Sequence, residues 1–212
     1  MKKLALIGSK DFAQGIIENL KYIGSYEVVG YFDDFEKKGT IINGYSVLGN
    51  VNDSIHLFNQ GAFDCVFIAI GYSSFTGRET IYNKLKGKIP FANIISKTAF
   101  VHPTAKLGEG ILLTDGVYIG RGAVIEDNVS ITLRSIVNHG CTVKKHSFFS
   151  TNVSLAGNVV VGEKCFIGVG CVISDSVEIC NDSWLSPGLV VVKSIKKPGH
   201  YMSISYKLIA ID

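Results

Sequence analysis

Hydrophobic residues recur at every sixth position from Ile95 onward, without a break in phase. The 17 residues at this position are branched aliphatics, with Phe149 as the one exception. A helical period of 3.6 residues or a strand period of 2 does not produce such a pattern over so long a segment. The residues at this position are Ile95, Val101, Leu107, Leu113, Ile119, Ile125, Ile131, Val137, Val143, Phe149, Leu155, Val161, Ile167, Ile173, Ile179, Leu185 and Val191.

Two further positions of each hexad are also restricted. The residue four places further along is small or aliphatic throughout, as at Ala99, Cys141 and Leu189. The residue three places along is Gly, Asn or Asp in 10 of 17 hexads, and these types tolerate the left-handed backbone angles of a tight corner. The pattern predicts a solenoid with three hexads per triangular coil, because each coil buries its inward side chains on the next. The ten corner residues are Gly110, Gly116, Gly122, Asn128, Gly140, Asn152, Asn158, Gly170, Asp182 and Gly188.

Residues 1–93 lack the hexad phase and alternate between strand and helix patterns. Such alternation predicts a small parallel α/β domain with a Rossmann-like βαβαβ order. We therefore expect two domains, at residues 1–93 and 94–212, the second carrying a C-terminal tail. The predicted strands are Lys3–Ile7, Glu27–Phe32, Cys65–Ile70 and Phe91–Ile95, and the predicted helices are Phe12–Ile23, Val51–Asn59 and Arg78–Leu85.

Composition excludes several function classes. The formal charge is +3 over 212 residues, and no run of five basic residues occurs, which argues against nucleic acid and membrane surfaces as partners. The apolar start is too short for a signal peptide, and no apolar run approaches a membrane span. Cys141, Cys165 and Cys171 occupy the small inward position, so we expect core thiols in a reducing compartment, with neither disulfides nor metal. A cytoplasmic protein is expected.

The repeat resembles the left-handed parallel β-helix of the hexapeptide-repeat acyltransferases, and the handedness comes from that resemblance. The order of an α/β unit followed by this solenoid resembles the bacterial nucleotide-sugar N-acetyltransferases that acetylate UDP-4-amino sugars in the bacillosamine pathway. It is also similar to the sialic-acid O-acetyltransferases. The resemblance implies acetyl-CoA as co-substrate, no metal, and a homotrimer with active sites at subunit interfaces.

The N-terminal unit offers a candidate nucleotide site. In a parallel sheet, ligands lie beyond the carboxyl ends of the strands, and a following helix N-terminus favours phosphate. Only one of the three glycines of a dinucleotide fingerprint follows the first strand, which argues against a dehydrogenase. From the residues alone, solvated loops are an equal alternative. The nucleotide-sugar contacts that the resemblance implies are Ser9, Lys10, Asp33, Asp34, Gly71 and Tyr72.

His139 is the candidate catalytic residue of the solenoid. It is predicted to point outward beside a corner, and its segment Ile136–Cys141 resembles the family motif whose histidine acts as general base. Acyl transfer from a thioester requires removal of the nucleophile's proton, and imidazole titrates near neutrality. Gly140 stands where the family commonly has an acidic residue. Either another carboxylate, a backbone carbonyl or Asn138 orients the ring, or the base is weaker than in the family. A solvated corner histidine is the alternative reading.

The resemblance also implies an acetyl-CoA groove along the corners. Gly157 best matches the family's small-Gly-polar corner, with Val169, Gly170 and Gly188 as further cofactor contacts. Three lysines, at positions 193, 196 and 197, are candidates for the 3′-phosphate, and a solvated basic tail is the alternative. Residues 203–207 depart from the family's usual ending. His146 lies two residues before Phe148, the position of a second family histidine, so that role is not transferred.

Together with these residues, the resemblance implies an acetyl-CoA-dependent N-acetyltransferase. The acceptor would be the amino group of a nucleotide-linked sugar, a 4-amino-4,6-dideoxyhexose used in surface glycan biosynthesis, linked to UDP, dTDP or GDP. One alternative is O-acetylation of a sugar hydroxyl, and another is a non-catalytic trimeric scaffold. A zinc hydratase on the same solenoid is disfavoured, because His139 and His146 occupy different hexad positions.

Overall fold

The computed structural model describes residues 1–203, and its first 85 residues form a three-layer α/β unit. Four parallel strands and one short antiparallel edge strand make a sheet of order β3-β4-β2-β1-β5. Apolar residues of both sheet faces are buried under the helices, with Leu4 and Leu6 on one face and Ala5 and Ile7 on the other. The elements are β1 Lys2–Ile7, α1 Asp11–Ile23, β2 Tyr26–Phe32, β3 Ile41–Ile42, β4 Tyr45–Gly49, α2 Asp53–Asn59, β5 Cys65–Ile68 and α3 Phe75–Leu85.

The bounds of several elements differ from the sequence prediction, and two of these differences lie near the junction with the solenoid. Helix α3 begins at Phe75 rather than Arg78, because the Ser74 hydroxyl caps its first turn by accepting a hydrogen bond from Gly77 N at 3.2 Å. The predicted strand Phe91–Ile95 is divided. Phe91 makes a single parallel bridge to Val66 of the α/β sheet, whereas Ile94–Ile95 already pairs within the solenoid.

The solenoid consists of two-residue strands that stack into three parallel sheets. We name them the docking sheet (β6, β9, β12, β15, β18, β21, β23), the apolar sheet (β7, β10, β13, β16, β19, β22) and the side sheet (β8, β11, β14, β17, β20). The strands are β6 Ile94–Ile95, β7 Phe100–Val101, β8 Lys106–Leu107, β9 Leu112–Leu113, β10 Tyr118–Ile119, β11 Val124–Ile125, β12 Ser130–Ile131, β13 Ile136–Val137, β14 Thr142–Val143, β15 Phe148–Phe149, β16 Ser154–Leu155, β17 Val160–Val161, β18 Phe166–Ile167, β19 Val172–Ile173, β20 Glu178–Ile179, β21 Ser183–Leu185, β22 Val190–Val191 and β23 Gly199–Tyr201.

The hexad prediction is confirmed strand by strand. Each of the 17 periodic apolar residues is the last residue of one strand from β6 to β22, and all of them lie in or against a single core. Cys141, Cys165 and Cys171 are buried in that core as free thiols. All ten predicted corner residues have positive φ angles, between 56° and 73°.

The α/β unit rests on the docking sheet through aromatic rings. Phe148, Phe166 and Trp184 form a ladder on the outer surface of successive coils, with ring centroids 6.2 and 4.2 Å apart. Tyr72 packs on all three rings, at 4.6 Å from Phe166, and Phe12 of α1 lies 5.6 Å from Phe148. The ends of β1 and β5 are therefore held against the coils that contain β15, β18 and β21.

Candidate active site at a solenoid corner

His139 lies at the corner between the apolar sheet and the side sheet, two residues after β13, and its side chain is exposed. Its Nδ1 atom is 3.2 Å from Oδ1 of Asn138, and the same oxygen accepts the His139 backbone N–H at 2.8 Å. An amide oxygen only accepts hydrogen bonds, so Nδ1 is the donor in this contact, and in the neutral ring Nε2 is the nitrogen that has the lone pair. Asn138 thus orients the ring in the tautomer that a general base requires.

Gly157 lies one coil further along, directly against the His139 ring. A Cβ atom on Gly157 would be 2.6 Å from both Cε1 and Nε2 of His139, and 2.7 Å from Oδ1 of Asp175. Glycine at this position therefore opens a notch between the imidazole and a carboxylate. Of the predicted cofactor contacts, Gly157 is the one that lies beside His139.

Gly140 cannot be replaced by the acidic residue that the family commonly carries there without a rearrangement. Its φ angle is 67°, in the left-handed region, and a Cβ atom would overlap with Oδ1 of Asn158 in the next coil. The Asn158 backbone N–H donates to the His139 carbonyl at 2.9 Å, which fixes this stacking. Asn138, rather than a residue at position 140, is therefore the residue that orients the His139 ring.

The other predicted cofactor residues lie elsewhere on the solenoid. Val169, Gly170 and Gly188 occupy the corner between the docking sheet and the apolar sheet, and Val169 is 45% exposed. The whole width of the apolar sheet separates this corner from His139 within one chain. Lys196 lines a groove of about 620 Å³ on the side sheet together with Lys144. Lys193 and Lys197 are exposed, and Ile204–Lys207 of the predicted tail lie outside the described residues.

The ends of β1 and β2 meet through Ser9 and Asp33, which are both buried. Oδ2 of Asp33 accepts the Ser9 backbone N–H at 3.0 Å and its hydroxyl at 2.7 Å. Oδ1 of Asp34 accepts Val51 N–H at 2.8 Å, so this carboxylate holds the turn before α2. Lys10 is exposed with its Nζ 5.9 Å from the ring centroid of Phe35. Hydrogen bonds therefore fix the side chains of Ser9, Asp33 and Asp34 at this edge of the sheet.

Gly71 and Tyr72 follow β5 at the same edge of the sheet. Gly71 lies close to Phe12, because a Cβ atom added to Gly71 would be 3.8 Å from the Cβ atom of Phe12. Tyr72 is 45% exposed, and one side of its ring is covered by the aromatic ladder. The third predicted strand end is therefore brought to the junction between the α/β unit and the docking sheet.

Sequence reasoning missed a buried polar cluster at this junction. Arg78 is fully buried and donates to the Ile70 carbonyl at 2.5 Å, to the Asn128 carbonyl at 2.8 Å and to the Asn128 side chain at 3.0 Å. Asn128 in turn lies 2.9 Å from Nδ1 of His146. Burial lowers the pKa of Arg78 to about 10 and the pKa of His146 to about 4. His146 is thus a neutral, buried junction residue. The only sequence signal was its place at a corner.

His139 and the nucleotide-site candidates face different sides of one chain. The contacts of the α/β unit fall on the docking sheet and on the adjoining corner, where Lys86 pairs with Asp127 at 3.2 Å and Lys164 with Glu79 at 3.2 Å. His139 lies on the corner across the triangular coil from the docking sheet. Among residues 1–203, no group of three or more His, Cys, Asp or Glu side chains is placed to hold a metal ion, and no helix there is long and apolar enough to cross a membrane.

Comparison with known proteins agrees with this architecture. Residues 3–85 match the PglD N-terminal domain family, and residues 95–198 match the C-terminal domain family of GMPPB. A curated relative, a probable mannose-1-phosphate guanylyltransferase of rice, is 42% identical over 53 residues, which is 25% of this chain and only 14% of that protein.

Several solved structures match over nearly the whole chain. A histidine-to-asparagine variant of perosamine N-acetyltransferase from Caulobacter crescentus, in complex with CoA and GDP-perosamine, is 29% identical with a TM-score of 0.84, covering 92% of this chain and 90% of the other. The acetyltransferase domain of PglB from Neisseria gonorrhoeae, in complex with acetyl coenzyme A, is 25% identical with a TM-score of 0.80, covering 92% of both chains.

The fold and these matches define the class of protein. In its domain order and its left-handed parallel β-helix, the chain is similar to hexapeptide-repeat nucleotide-sugar acetyltransferases of known structure. Within that class it is similar to enzymes whose structures contain CoA or acetyl-CoA.

Proposed function

We propose that this protein transfers the acetyl group of acetyl-CoA to the amino group of a nucleotide-linked 4-amino-4,6-dideoxyhexose, with His139 as general base. The observation that carries the proposal is the His139 ring itself. Asn138 occupies its Nδ1 atom, and its Nε2 atom faces the open notch above Gly157. The similarity to an N-acetyltransferase that binds GDP-perosamine supports the choice of acceptor.

The chemistry follows from that geometry. The sugar ammonium first loses one proton to water, and the neutral amine attacks the thioester carbonyl carbon. Nε2 of His139 removes a second proton from the nitrogen as the C–N bond forms. The C–S bond then breaks, and the imidazolium returns its proton to the CoA thiolate. Backbone N–H groups at the corner would stabilise the negative oxygen of the intermediate.

A homotrimer would complete the site. The outer surface of the apolar sheet exposes a stripe of large apolar side chains, and such patches mark interaction surfaces. Because His139 lies at one border of this sheet and Gly170 at the other, two chains packed through it would bring both corners to one groove. The nucleotide sugar would then reach His139 from the α/β unit of a neighbouring chain. The exposed stripe consists of Phe100, Tyr118, Ile136, Val172 and Val190.

The proposal is tested with a turnover panel. Purified protein is incubated with acetyl-CoA and with GDP-, UDP- and dTDP-linked 4-amino sugars, and with the corresponding 4-hydroxy sugars. Mass spectrometry follows a gain of one acetyl group, and release of free thiol measures the rate. We expect turnover of an amino sugar on one nucleotide. Thiol release with a hydroxy sugar alone would assign O-acetylation instead, and no turnover with any acceptor would favour a non-catalytic scaffold.

A further inference from the structure

The corner that carries His139 continues as a column of equivalent residues 18 positions apart. Arg121, His139, Gly157 and Asp175 follow one another on successive coils. Backbone hydrogen bonds hold them in register, since the His139 carbonyl accepts Asn158 N–H and the Gly157 carbonyl accepts Ser176 N–H, both at 2.9 Å. Asp175 is therefore two coils from His139, and only a glycine stands between them.

The two side chains converge on the same space. Nε2 of His139 and Oδ1 of Asp175 lie 2.6 and 2.7 Å from one point, the Cβ position of a substituted Gly157. The two atoms are therefore separated by no more than about twice a hydrogen-bond length. A nitrogen atom placed over the notch can be in hydrogen-bond distance of both groups. A side chain at position 157 would fill that space.

The Asp175 carboxylate accepts one hydrogen bond and, within residues 1–203, forms no ion pair. Its Oδ2 atom accepts the Ser176 hydroxyl at 2.7 Å, which leaves Oδ1 available to a donor over the notch. Within residues 1–203, no lysine or arginine nitrogen lies within 4.0 Å of Asp175; the four ion pairs of that segment all involve other carboxylates. The carboxylate thus presents an uncompensated negative charge to whatever occupies the notch.

We propose that Asp175 binds the protonated amine of the acceptor sugar across the notch from His139, and so selects an amine over a hydroxyl. The inference rests on the proposed function and deepens it. A sugar ammonium carries a full positive charge, and a charge-assisted hydrogen bond to a carboxylate is roughly twice as strong as a neutral one. A neutral hydroxyl gains only the weaker bond.

The same contact serves the reaction as it proceeds. After the ammonium has lost its first proton to water, attack on the thioester makes the nitrogen cationic again. Asp175 stabilises that nitrogen until Nε2 of His139 removes the second proton. The carboxylate therefore acts on the substrate rather than on the imidazole, whose Nδ1 atom is already bonded to Asn138.

Binding measurements with the Asp175→Asn variant test the proposal. Asparagine keeps the size of the side chain and an oxygen for the Ser176 hydroxyl, and it removes only the charge. The probes are GDP-perosamine and GDP-rhamnose, which carry an amine and a hydroxyl at the same sugar carbon. If the turnover panel assigns UDP or dTDP, the same pair of sugars on that nucleotide is used. Calorimetry at neutral pH gives the dissociation constants.

We expect the variant to bind the amino sugar about tenfold more weakly, while the constants for the hydroxy sugar and for CoA change less than twofold. Asp182→Asn is the matched control, because its carboxylate lies on another corner and contacts Lys164 at 3.5 Å; it should leave all three constants unchanged. Equal affinity of wild type and Asp175→Asn for the amino sugar overturns the proposal. A wild-type protein that acetylates no amino sugar refutes the proposed function, and this inference with it.

Discussion

Nε2 of His139 lies 2.6 Å from the point that a Cβ atom on Gly157 would occupy, so the imidazole rests on bare glycine backbone. Gly157→Ala should therefore displace the ring or the acceptor. The backbone there is not left-handed, so alanine itself is tolerated and the fold should be retained. We expect kcat to fall by about tenfold or more, because misplacement of a catalytic group by about 1 Å is costly.

Steady-state kinetics with the acceptor from the turnover panel checks this expectation. Gly15→Ala in α1 is the control, since no atom lies within 4 Å of its added Cβ and alanine favours the helix. An unchanged kcat in Gly157→Ala would show that the notch is not occupied during the reaction.

Arg78 holds the end of β5 to the solenoid. Its guanidinium is fully buried, and its acceptors at Ile70 and Asn128 belong to the two sides of the junction. Arg78→Met should destabilise the protein by about 2–4 kcal/mol, because buried carbonyls lose their donors. Urea unfolding measures the change, with the exposed Arg134→Lys as control. A decrease in the free energy of unfolding below about 0.5 kcal/mol, the usual effect at surface sites, would contradict the role of Arg78 in holding β5 to the solenoid.

Buried His146 should make stability depend on pH. Burial holds its pKa near 4, below the ordinary value of 6.5; nearby Glu79 opposes this shift, whereas Arg78, Lys145 and Lys164 add to it. Between these values the unfolded chain binds a proton that the folded chain does not. Stability should therefore fall as the pH decreases from about 6.5 to about 4, by an amount on the order of 1–3 kcal/mol.

The variant His146→Asn removes this titration and suits the left-handed corner at φ 65°. Its unfolding free energy should vary less with pH over that window than that of wild type. His56→Asn, at an exposed site on α2, is the control and should keep the wild-type profile. The same pH profile in His146→Asn and wild type would exclude His146 as its source.

The exposed stripe of the apolar sheet should be a subunit interface. Val172 is 44% exposed on β19, and its outward neighbours on the same sheet are Val190 of β22 and Ser154 of β16. Val172→Glu would place a charge in that interface, so a trimer should dissociate to monomers. Light scattering after gel filtration gives the mass, and Lys106→Glu on the side sheet is the control. A wild-type protein that is monomeric at micromolar concentration would contradict the shared site.

The fold was largely predictable because the solenoid repeats one local rule. The inward residue can be identified within each hexad separately, so an error in assigning one strand does not shift the assignment of the next. The corners were less predictable, because residue type does not identify every corner residue with a positive φ angle. Arg134, His146, Lys164 and Ser176 also adopt positive φ angles, between 54° and 65°, although their side chains disfavour them. Stacked coils impose the angle there against a local cost of about 1–2 kcal/mol, which sequence preference does not reveal.

The candidate site was predictable only where a motif is local. His139 and Asn138 are adjacent, so one segment indicates both. Asp175 contributes from 36 residues away, and it becomes visible only when residues 18 apart are compared as one column. Arg78 reaches across the junction to Asn128. No periodicity within α3 predicts that contact, because it depends on how two independent units pack.

The most direct test of the account is the turnover of His139→Asn. Asparagine removes the base and keeps a polar side chain, so the corner should remain folded. With saturating acetyl-CoA and the amino sugar assigned by the panel, we expect kcat to fall by about 10²–10⁴-fold while the dissociation constant of the nucleotide sugar changes little. His102→Asn, at the same corner two coils earlier, should retain wild-type turnover. A kcat of His139→Asn equal to that of wild type would contradict the assignment of His139 as the general base.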